Sequence, residues 1–336
     1  MQHGSDAFVA QWKSDVIAEG LAARGLKTEI RPMTTSPPST RRRAVFHARR
    51  TKTGAMIGFK MRGTDTLVEV PDCQVLDPGI LAVMPFLKNL TRRYASRKGE
   101  IDWAVTLSHA GLDIDIRGAR ILTPEEISEL ANQSGSAGIA RLTWDGEDVA
   151  VHAHPTQIFG GTPVVPPPAS FLQATQHGEE ALWTSVSEAL KGAKSVVDLF
   201  AGCGTFALRS AAHSEVSAYE NAPEMIAALS HAWRQKQGLK GVNALSRDLF
   251  RRPLLPMELD KFDAIIIDPP RAGAEAQTRE IAKSSVPRIC AVSCNPITFA
   301  RDAQILSDGG YTLDWLQPVD QFRWSAHVEL AAQFTK

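Results

Sequence analysis

Residues 196–206 read VVDLFAGCGTF: an apolar strand runs into Asp198, and a glycine-containing turn precedes a helix. Glycine in such a turn lets a ligand approach the backbone closely, and the helix start offers unpaired amide groups. The phosphate-binding pattern GxGxxG is not met, because Ala207 stands at the third glycine position. About twenty residues further on, the next strand ends in Glu220, an acidic residue placed to hold ribose hydroxyls. This spacing favours a nucleoside ligand without an essential pyrophosphate, although a GxG turn alone is equally typical of an ordinary tight turn.

Apolar strands and helices alternate from about residue 176 to the end of the chain. The strand segments are KSVVDLF, EVSAYE, FDAIIID and PRICAVSC, and helical segments such as PEMIAALSHAWRQ lie between them. Strands that are apolar throughout are typical of a parallel sheet with helices on both faces. We therefore predict an α/β fold of the Rossmann-like, doubly wound type, with its ligand site at the carboxyl ends of the strands.

The part of the chain before about residue 160 has a different pattern. Residues 7–24 have apolar residues at near-helical spacing, which predicts a helix that stops at Gly25, and TTSPPST after it is predicted to be a loop. Alternating segments from Arg42 onward predict antiparallel strands, and Thr123 opens a capping-box sequence for a helix to about residue 132. This part is thus a mixed α+β, antiparallel-sheet-rich domain. GGTPVVPPPAS comes next, a proline-rich stretch predicted to be a stiff connector.

Charge is balanced overall but unevenly distributed along the chain. Lys+Arg and Asp+Glu both number 37, yet no acidic residue occurs from Arg31 to Thr64. That window contains Arg41, Arg42, Arg43, Arg49, Arg50, Lys52, Lys60 and Arg62. A second basic cluster consists of Lys88, Arg92, Arg93, Arg97 and Lys98. Such clusters favour contacts with nucleic-acid phosphates, whereas a solvated face or a flexible basic loop is the alternative interpretation.

Targeting and redox signals are weak in this sequence. It has no apolar run of ~18 residues and no signal-like start, so we expect a cytoplasmic protein without a membrane partner. The cysteines are widely spaced and form no CxxC pair, and we expect no disulfides.

The segment FDAIIIDPPRAG, residues 262–273, ends an apolar strand in Asp268 and a rigid Pro-Pro turn. Many amino-methylating enzymes have an aromatic residue after Asp/Asn-Pro-Pro, which stacks on the target base. Arg271 stands at that position here, so amine methylation is disfavoured.

The segment AVSCNPITFARD, residues 291–302, ends a strand at Cys294 just before Pro296 opens a helix. A thiol there is expected to have a lowered pKa. The alternative for a lone cysteine is a buried small apolar residue, which we apply to Cys203 and Cys290. In the last segment, VDQFRWSAHVELAAQF, His327 and Glu329 are predicted to share one face of a final strand.

These segments together resemble the class I methyltransferases that bind S-adenosylmethionine and, among them, the uracil-C5 RNA methyltransferase family. The resemblance covers residues 7–336 and rests on DLFAGCGTF, DPPRAG, SCNPITFARD, the closing D-x-F-x-x-x-x-H-V-E and FLQAT at 171–175. It implies a seven-stranded catalytic sheet. Departures are Thr175 in place of an asparagine and Arg323-Trp324 in place of Pro-His or Pro-Gln, which could alter substrate fit.

The resemblance assigns roles to individual residues. Cys294 is the nucleophile and Glu329 the general base. The cofactor residues are Gln173, Asp198, Phe200, Gly202, Gly204, Thr205, Glu220, Asp248 and Asp268, although a solvated loop aspartate is an equally good interpretation of Asp248. The substrate residues are Phe171, Gln173, Asp268 and Arg271, to which the basic cluster adds Arg41 and Arg43 as expected phosphate contacts.

The chain is divided accordingly. The segments are 1–40, an N-terminal helix and loop left from an iron–sulfur region; 41–162, a mixed α+β RNA-binding domain; 163–175, a connector and active-site segment; and 176–336, the catalytic domain.

Some members of the family hold a 4Fe-4S cluster with four cysteines. Cys73, in VPDCQVLDP, resembles the fourth ligand, and the opening Met-Gln-His resembles the residues directly after the third. We therefore expect the chain to start just past the cysteine triplet and to bind no cluster alone, as only a longer form would. Cys73 also favours 23S ribosomal RNA as the substrate. The alternatives are a tRNA uracil-C5-methyltransferase, an amine-directed methyltransferase, and a noncatalytic RNA-binding protein.

Overall fold

The computed structural model describes residues 1–97 and 99–336, so Lys98 of the second basic cluster lies outside the described residues. The helices are α1 (Asp6–Ala22), α2 (Pro78–Ala82), α3 (Met84–Tyr94), α4 (Pro124–Ser136), α5 (Gln176–Ala189), α6 (Ala207–Ser210), α7 (Pro223–Gln235), α8 (Pro256–Leu259), α9 (Glu275–Ala282) and α10 (Pro296–Asp308). The strands are β1 (Glu29–Ile30), β2 (Thr34–Thr35), β3 (Arg43–Arg50), β4 (Ala55–Lys60), β5 (Leu67–Val68), β6 (Glu100–Ser108), β7 (Gly111–Arg117), β8 (Ile139–Trp144), β9 (Glu147–Val151), β10 (Gln157–Phe159), β11 (Thr162–Val164), β12 (Ser195–Leu199), β13 (Glu215–Glu220), β14 (Val242–Ser246), β15 (Ala264–Ile267), β16 (Arg288–Ser293), β17 (Thr312–Asp320) and β18 (Glu329–Thr335).

The chain forms two compact units, which we call the catalytic unit and the basic unit. The catalytic unit consists of Met1–Pro37, Ile158–Val164 and Gln176–Lys336, and the basic unit consists of Pro38–Gln157 and Val165–Thr175.

The catalytic unit is built on a sheet with the strand order β1-β17-β18-β16-β15-β12-β13-β14. Strands β12 to β16 pair in parallel, and β18 is antiparallel to both of its neighbours. The order reverses between β12 and β15, which is where a doubly wound sheet binds its ligand. The predicted α/β fold is therefore confirmed.

Two very short strands extend this sheet, and one of them lies where the sequence predicted a loop. Thr34–Thr35 lie in TTSPPST, yet they pair in parallel with Val319 and Asp320 of β17, and Glu29–Ile30 pair with the same strand. A strand of two residues is too short to show alternation, and its formation depends on the open edge of β17.

Helix α1 belongs to the core of the catalytic unit. The Ser5 hydroxyl caps it by accepting from the Phe8 N–H, and Gly25 follows its end with φ +70°, as predicted. Ile17 and Leu21 are buried and join the apolar cluster that also contains Phe299 of α10. Burying such side chains stabilises a fold by about 1.5–3 kcal/mol each, so α1 is an integral part of the unit.

The basic unit contains a mixed sheet with the order β5-β4-β3-β6-β7-β8-β9, covered by helices α2, α3 and α4. All neighbouring strands are antiparallel except β7 and β8. The predicted capping box forms, since the Glu126 N–H donates to the Thr123 hydroxyl and the Glu126 carboxylate accepts from the Thr123 N–H. Helix α4 continues to Ser136, four residues beyond the predicted end, and is followed by Gly138 with φ +71°.

The connector prediction for GGTPVVPPPAS is wrong at its start, because Thr162–Val164 form β11 and pair with β10. Pro163 lacks an N–H and cannot sit in a central strand. In a two-stranded sheet each strand has an open edge, so this missing donor interrupts no ladder.

No helix among the described residues is long and apolar enough to span a membrane.

Candidate active site

The predicted catalytic and cofactor residues of the catalytic unit converge on the carboxyl edge of its parallel strands. Asp198 lies near the end of β12, Glu220 ends β13, Asp268 follows β15 and Cys294 follows β16. Glu329 is the first residue of β18, and an antiparallel strand begins at the edge where its parallel neighbours end.

Strand register places Cys294 and Glu329 opposite each other. Ser293 of β16 pairs with Leu330 of the antiparallel β18, so the next residue on β16 faces the preceding residue on β18. Neighbouring strands are about 4.8 Å apart, which brings a thiol and a carboxylate to adjacent positions at this edge.

The turn after β12 has the backbone conformation that close ligand approach requires. Phe200, Gly202 and Gly204 all have positive φ, at 65°, 56° and 98°. A Cβ on Gly202 would meet nothing within 4 Å, whereas a Cβ on Gly204 would approach Leu229 Cγ to 2.9 Å. Gly202 thus faces open space, and Gly204 is required for packing against α7. Thr205, at the end of the turn, is half-buried.

The side chain of Glu220 closes this turn. Its carboxylate accepts from the backbone N–H of Gly202 at 3.1 Å, of Asn221 at 2.7 Å and of Ala222 at 3.1 Å. An acidic group at the end of the second strand is thereby held beside the glycine turn, as the sequence predicts.

Asp198 and Asp268 are neighbouring carboxyl groups beside this turn, and we call them the acidic pair. Asp198 is fully buried, and among the described residues neither of its oxygens has a hydrogen-bond partner within 3.5 Å. Burial, followed by the charge of Asp268, raises the pKa of Asp198 well above its usual range, against a smaller opposing effect of the Ala207 N–H. Asp268 keeps partial solvent access, but desolvation raises its pKa to about 7.

A buried carboxylate without a partner, such as that of Asp198, favours a cationic or hydrogen-bond-donating ligand. S-adenosylmethionine carries both a sulfonium cation and an ammonium group on a nucleoside. The acidic pair therefore fits the cofactor that the sequence implies.

Asp248 lies in the loop after β14, and its carboxylate accepts from the N–H groups of Phe250 and Arg251 at 3.0 and 3.2 Å. The loop brings the half-exposed Phe250 ring to 5.3 Å from the ring of Phe200, measured between centroids. Asp248 thus shapes this loop, and its contact with the cofactor stays a prediction.

The environment of Cys294 contradicts the expected lowering of its pKa. The thiol is half-buried, and burial, followed by the charges of Glu329 and Asp268, raises its pKa to about 11. Arg271 acts in the opposite direction but does not prevail. Burial of the thiol, together with the two neighbouring carboxylates, therefore outweighs the proximity of a helix start.

Glu329 is buried at the start of β18, and its pKa lies well above the usual range. Burial is the largest cause and the charge of Asp268 the next, while a hydrogen bond from the Gln321 side chain and the charge of Arg271 lower the pKa. Gln321 is itself buried, so the Glu329 carboxyl is held in a fixed position.

A buried ion pair that sequence analysis missed anchors the loop before Glu329. Lys13 of α1 is fully buried, and its Nζ lies 2.7 Å from Asp320 Oδ1 and donates to the Phe322 carbonyl at 3.2 Å. The same Asp320 oxygen accepts from the Phe322 N–H at 2.9 Å. The only signal in the sequence was a lysine in the apolar stripe of α1, between Val9 and Ile17.

His327 does not share a strand face with Glu329, which corrects the prediction. It lies in the loop before β18 and is exposed, because β17 ends at Asp320 and β18 begins only at Glu329. Its Nδ1 is 3.3 Å from Arg271 Nη2, and its ring meets the edge of Phe322 at 5.8 Å between centroids.

The backbone of Arg271 is also tied to the Cys294 segment. Its carbonyl accepts from Asn295 Nδ2 at 3.0 Å and from the Thr298 hydroxyl at 3.2 Å.

The remaining predicted substrate residues lie in the basic unit. Arg43 has its guanidinium 5.9 Å from the Phe171 ring and donates to the Ala169 carbonyl, while Arg41 Nε donates to the Arg43 carbonyl at 3.0 Å. Burial lowers the pKa of Arg43, and the charge of Arg41 lowers it further. Phe171 is exposed, whereas Gln173 is buried. The backbone carbonyl of Gln173 accepts a hydrogen bond from Arg42 Nε at 3.1 Å. Contact of these residues with cofactor or uracil stays a prediction.

Cys73 does not belong to a metal site among residues 1–97 and 99–336, where no group of three or more His, Cys, Asp or Glu side chains could hold an ion. Its half-buried thiol packs at the core of the basic unit, near enough to Arg41 to oppose the lowering of that residue's pKa by burial. The described residues therefore do not fit an iron–sulfur cluster.

Comparison with known proteins agrees with this geometry. The family described as tRNA (Uracil-5-)-methyltransferase matches residues 169–336. A protein of Brucella suis biovar 1, named as an uncharacterized RNA methyltransferase, is 43% identical over 336 residues, which are 100% of this chain and 81% of the relative. The 23S rRNA (uracil(1939)-C(5))-methyltransferase of Hahella chejuensis is 27% identical over 366 residues, which cover 100% of this chain and 80% of that protein.

Among solved structures, the Pyrococcus abyssi tRNA (uracil-54, C5)-methyltransferase in complex with S-adenosyl-L-homocysteine superposes with a TM-score of 0.77. The match covers 99% of this chain and 83% of that one at 20% identity, and so it bears on the fold. Both the predicted class I methyltransferase fold and the predicted family are confirmed. The chain belongs to the tRNA (uracil-5-)-methyltransferase family, a family of S-adenosylmethionine-dependent RNA (uracil-C5)-methyltransferases.

Proposed function

We propose that this protein methylates carbon 5 of a uridine in 23S ribosomal RNA through a covalent adduct of Cys294, with Glu329 as the base. The observation that carries the proposal is the pairing of β16 with β18, which sets the Cys294 thiol opposite the buried Glu329 carboxyl at the ligand edge of the sheet.

S-adenosylmethionine supplies the methyl group, as an electrophilic carbon on a sulfonium. Glu220 beside the glycine turn would take the ribose hydroxyls. Asp198 and Asp268, the acidic pair, would hold the cationic end, since carboxylates withdrawn from water favour positive charge.

Cys294 must become a thiolate before it can add to carbon 6 of the uracil ring. In the free protein its pKa of about 11 keeps it protonated, because burial, followed by the charges of Glu329 and Asp268, opposes its ionisation. Arg271 already favours the thiolate. Protonation of Asp268, or a positive charge bound beside it, would remove the part of the pKa increase that is due to the Asp268 charge. The thiol is thus expected to ionise only when a cationic ligand is bound beside the acidic pair or Asp268 is protonated.

Addition forms the sulfur–carbon 6 bond and moves the ring electrons into an enolate, which makes carbon 5 nucleophilic enough to accept the methyl group. Carbon 5 then still carries its hydrogen. Glu329 removes that proton, the electron pair re-forms the 5,6 double bond, and the sulfur leaves as a thiolate. A base whose pKa is raised by burial suits this step, and a positioned base contributes ~10²–10⁴-fold.

Ribosomal RNA is proposed as the substrate on the basis of two observations. The relative named for 23S rRNA aligns with the whole of this chain. Cys73 stands in the sequence VPDCQVLDP, which resembles the cluster-bearing ribosomal branch. Transfer RNA is the competing substrate, since the matching family is named for it.

The chemistry is tested with RNA that contains 5-fluorouridine, because fluorine at carbon 5 cannot be removed as a proton. Incubation with S-adenosylmethionine should give a covalent protein–RNA complex that survives denaturation and is absent in Cys294→Ala. Cys73→Ala, at a half-buried cysteine of the basic unit, is the matched control and should form the complex. Methylation of ordinary RNA by Cys294→Ala would refute the proposal.

The substrate is tested separately by mapping 5-methyluridine by mass spectrometry in cells that lack the gene. Loss of the modification from 23S rRNA is expected, whereas loss from tRNA alone would overturn the ribosomal assignment and leave the chemistry intact.

A further inference from the structure

The two basic clusters of the sequence meet at one cavity in the basic unit. The turn between β3 and β4 contributes Arg50 and Lys52, and helix α3 contributes Asn89 and Arg92. The cavity has a volume of ≈ 630 Å³ and a lining that is mostly polar. Two segments well separated in the chain therefore surround one cavity. A solvated face or a flexible loop would not need to bring them together in this way.

The cations at this cavity are mostly uncompensated. Arg93 makes a bidentate ion pair with Glu129, and this uses the acidic residue of the cavity wall. Within residues 1–97 and 99–336, Arg50, Lys52 and Arg92 have no ion-pair partner, and all three are exposed. Three free positive charges around a polar recess favour an anionic ligand.

The hairpin turn that carries these charges is locally ordered. The Thr51 N–H donates to the Gly54 carbonyl, and the Gly54 N–H donates to the Thr51 hydroxyl, both at 2.9 Å. The backbone groups of the turn are thus satisfied internally. The exposed Arg50 and Lys52 side chains can then serve a ligand without first having to break contacts that hold the turn.

We propose that this cavity, which we call the phosphate cavity, binds the sugar-phosphate backbone of the RNA substrate away from the target uridine. This proposal rests on the proposed function, in which RNA is the substrate. Arg43 and Arg50 stand at opposite ends of β3, and an eight-residue strand is about 25 Å long. The phosphate cavity and the Arg41–Arg43 cluster therefore contact separate parts of an RNA.

Arginine and lysine with neighbouring amide side chains are the groups that contact phosphates and riboses in nucleic-acid complexes, and such contacts position the RNA without reading its sequence. The phosphate cavity is thus expected to raise affinity for any RNA strand and to leave the choice of uridine to the catalytic unit.

The test compares Arg50→Ala/Lys52→Ala/Arg92→Ala with the wild-type protein in binding to fluorescein-labelled oligouridine at several salt concentrations. For three phosphate contacts, counterion release predicts a salt slope about 2 units shallower and an affinity roughly fifty-fold weaker at about 0.15 M salt. Arg62→Ala is the matched control, since Arg62 is an exposed arginine beyond the other end of β4. It should change affinity far less than Arg92→Ala alone.

Equal losses for Arg62→Ala and Arg92→Ala would overturn the proposal, as would an unchanged salt slope in the triple variant. The proposal would also be overturned if the triple variant bound RNA as tightly as the wild-type protein but no longer bound an acidic protein. Because the three side chains are exposed, the triple variant should unfold at the wild-type temperature. Arg92→Lys, which keeps the charge, should retain most of the affinity.

Covalent complex formation with 5-fluorouridine RNA separates the two proposals. At saturating RNA the triple variant should form the complex as fast as the wild-type protein. It should need a higher RNA concentration to reach that rate. Failure of Cys294 chemistry would remove the complex in every variant and leave the binding comparison interpretable.

Discussion

Replacing Lys13 by methionine should destabilise the catalytic unit more than any exposed substitution in the same segment. Methionine keeps the apolar stem of the side chain but removes the ammonium that lies 2.7 Å from Asp320 Oδ1. The Asp320 side chain is 2% exposed and would keep the Phe322 N–H as a partner. Leaving one half of a buried ion pair uncompensated costs about 3–5 kcal/mol in the free energy of unfolding.

Burial is the largest influence on Lys13 and lowers its pKa, while the hydrogen bond and charge of Asp320 oppose it. The pair as a whole is therefore expected to contribute little net stability, and the penalty should come from breaking it. Asp320→Asn in addition to Lys13→Met removes the orphaned charge and should recover a large part of the loss, with a coupling energy in the range of about 0.5–3 kcal/mol.

The assay is urea denaturation followed by circular dichroism, with thermal unfolding as a second measurement. A loss of this size lowers the unfolding temperature by roughly 6–20 °C in a unit of 150–250 residues. Lys27→Met is the matched control, because Lys27 is an exposed lysine that follows α1, and its effect should stay within about 0.5 kcal/mol. A Lys13→Met effect no larger than that of the control would refute the assignment of a buried ion pair at this position.

Other consequences of the active-site electrostatics can be measured directly. Burial raises the pKa of Asp268 to about 7, so its ionisation destabilises the folded state by up to about 4 kcal/mol as pH rises from about 4 to 7. Asp268→Asn should therefore gain stability over wild type across that window in urea denaturation, and parallel pH profiles would contradict this. Glu329→Gln should accumulate a covalent complex with ordinary uridine RNA on denaturing gels, because the carbon 5 proton is not removed; rapid turnover without a complex would exclude Glu329 as the base. Alkylation of Cys294 in the free protein should rise about tenfold per pH unit up to about pH 11, and a plateau near neutral pH would contradict the raised pKa. The purified chain should contain no stoichiometric iron or sulfide by colorimetric assay, and finding both would overturn the prediction made from Cys73.

Much of the fold and the ligand edge of its parallel sheet follow from local patterns in the sequence. The apolar strand, the glycine turn and the strand-end Glu220 define the cofactor edge, because periodicity and turn chemistry act between residues close in the chain. The capping box at Thr123 forms for the same reason. The closing segment with Glu329 was recognised only through resemblance, since a single carboxylate near a strand end has no pattern of its own.

Tertiary structure decided the properties that depend on groups far apart in the chain. Lys13 and Asp320 lie near opposite ends of the sequence, and no local pattern predicts such a pair. The pKa of Cys294 rises rather than falls because the fold buries the thiol and brings Glu329 and Asp268 close to it. The two basic clusters face one cavity because the β3–β4 turn packs beside α3. Electrostatic interactions depend on distance in space, and only the folded chain sets those distances.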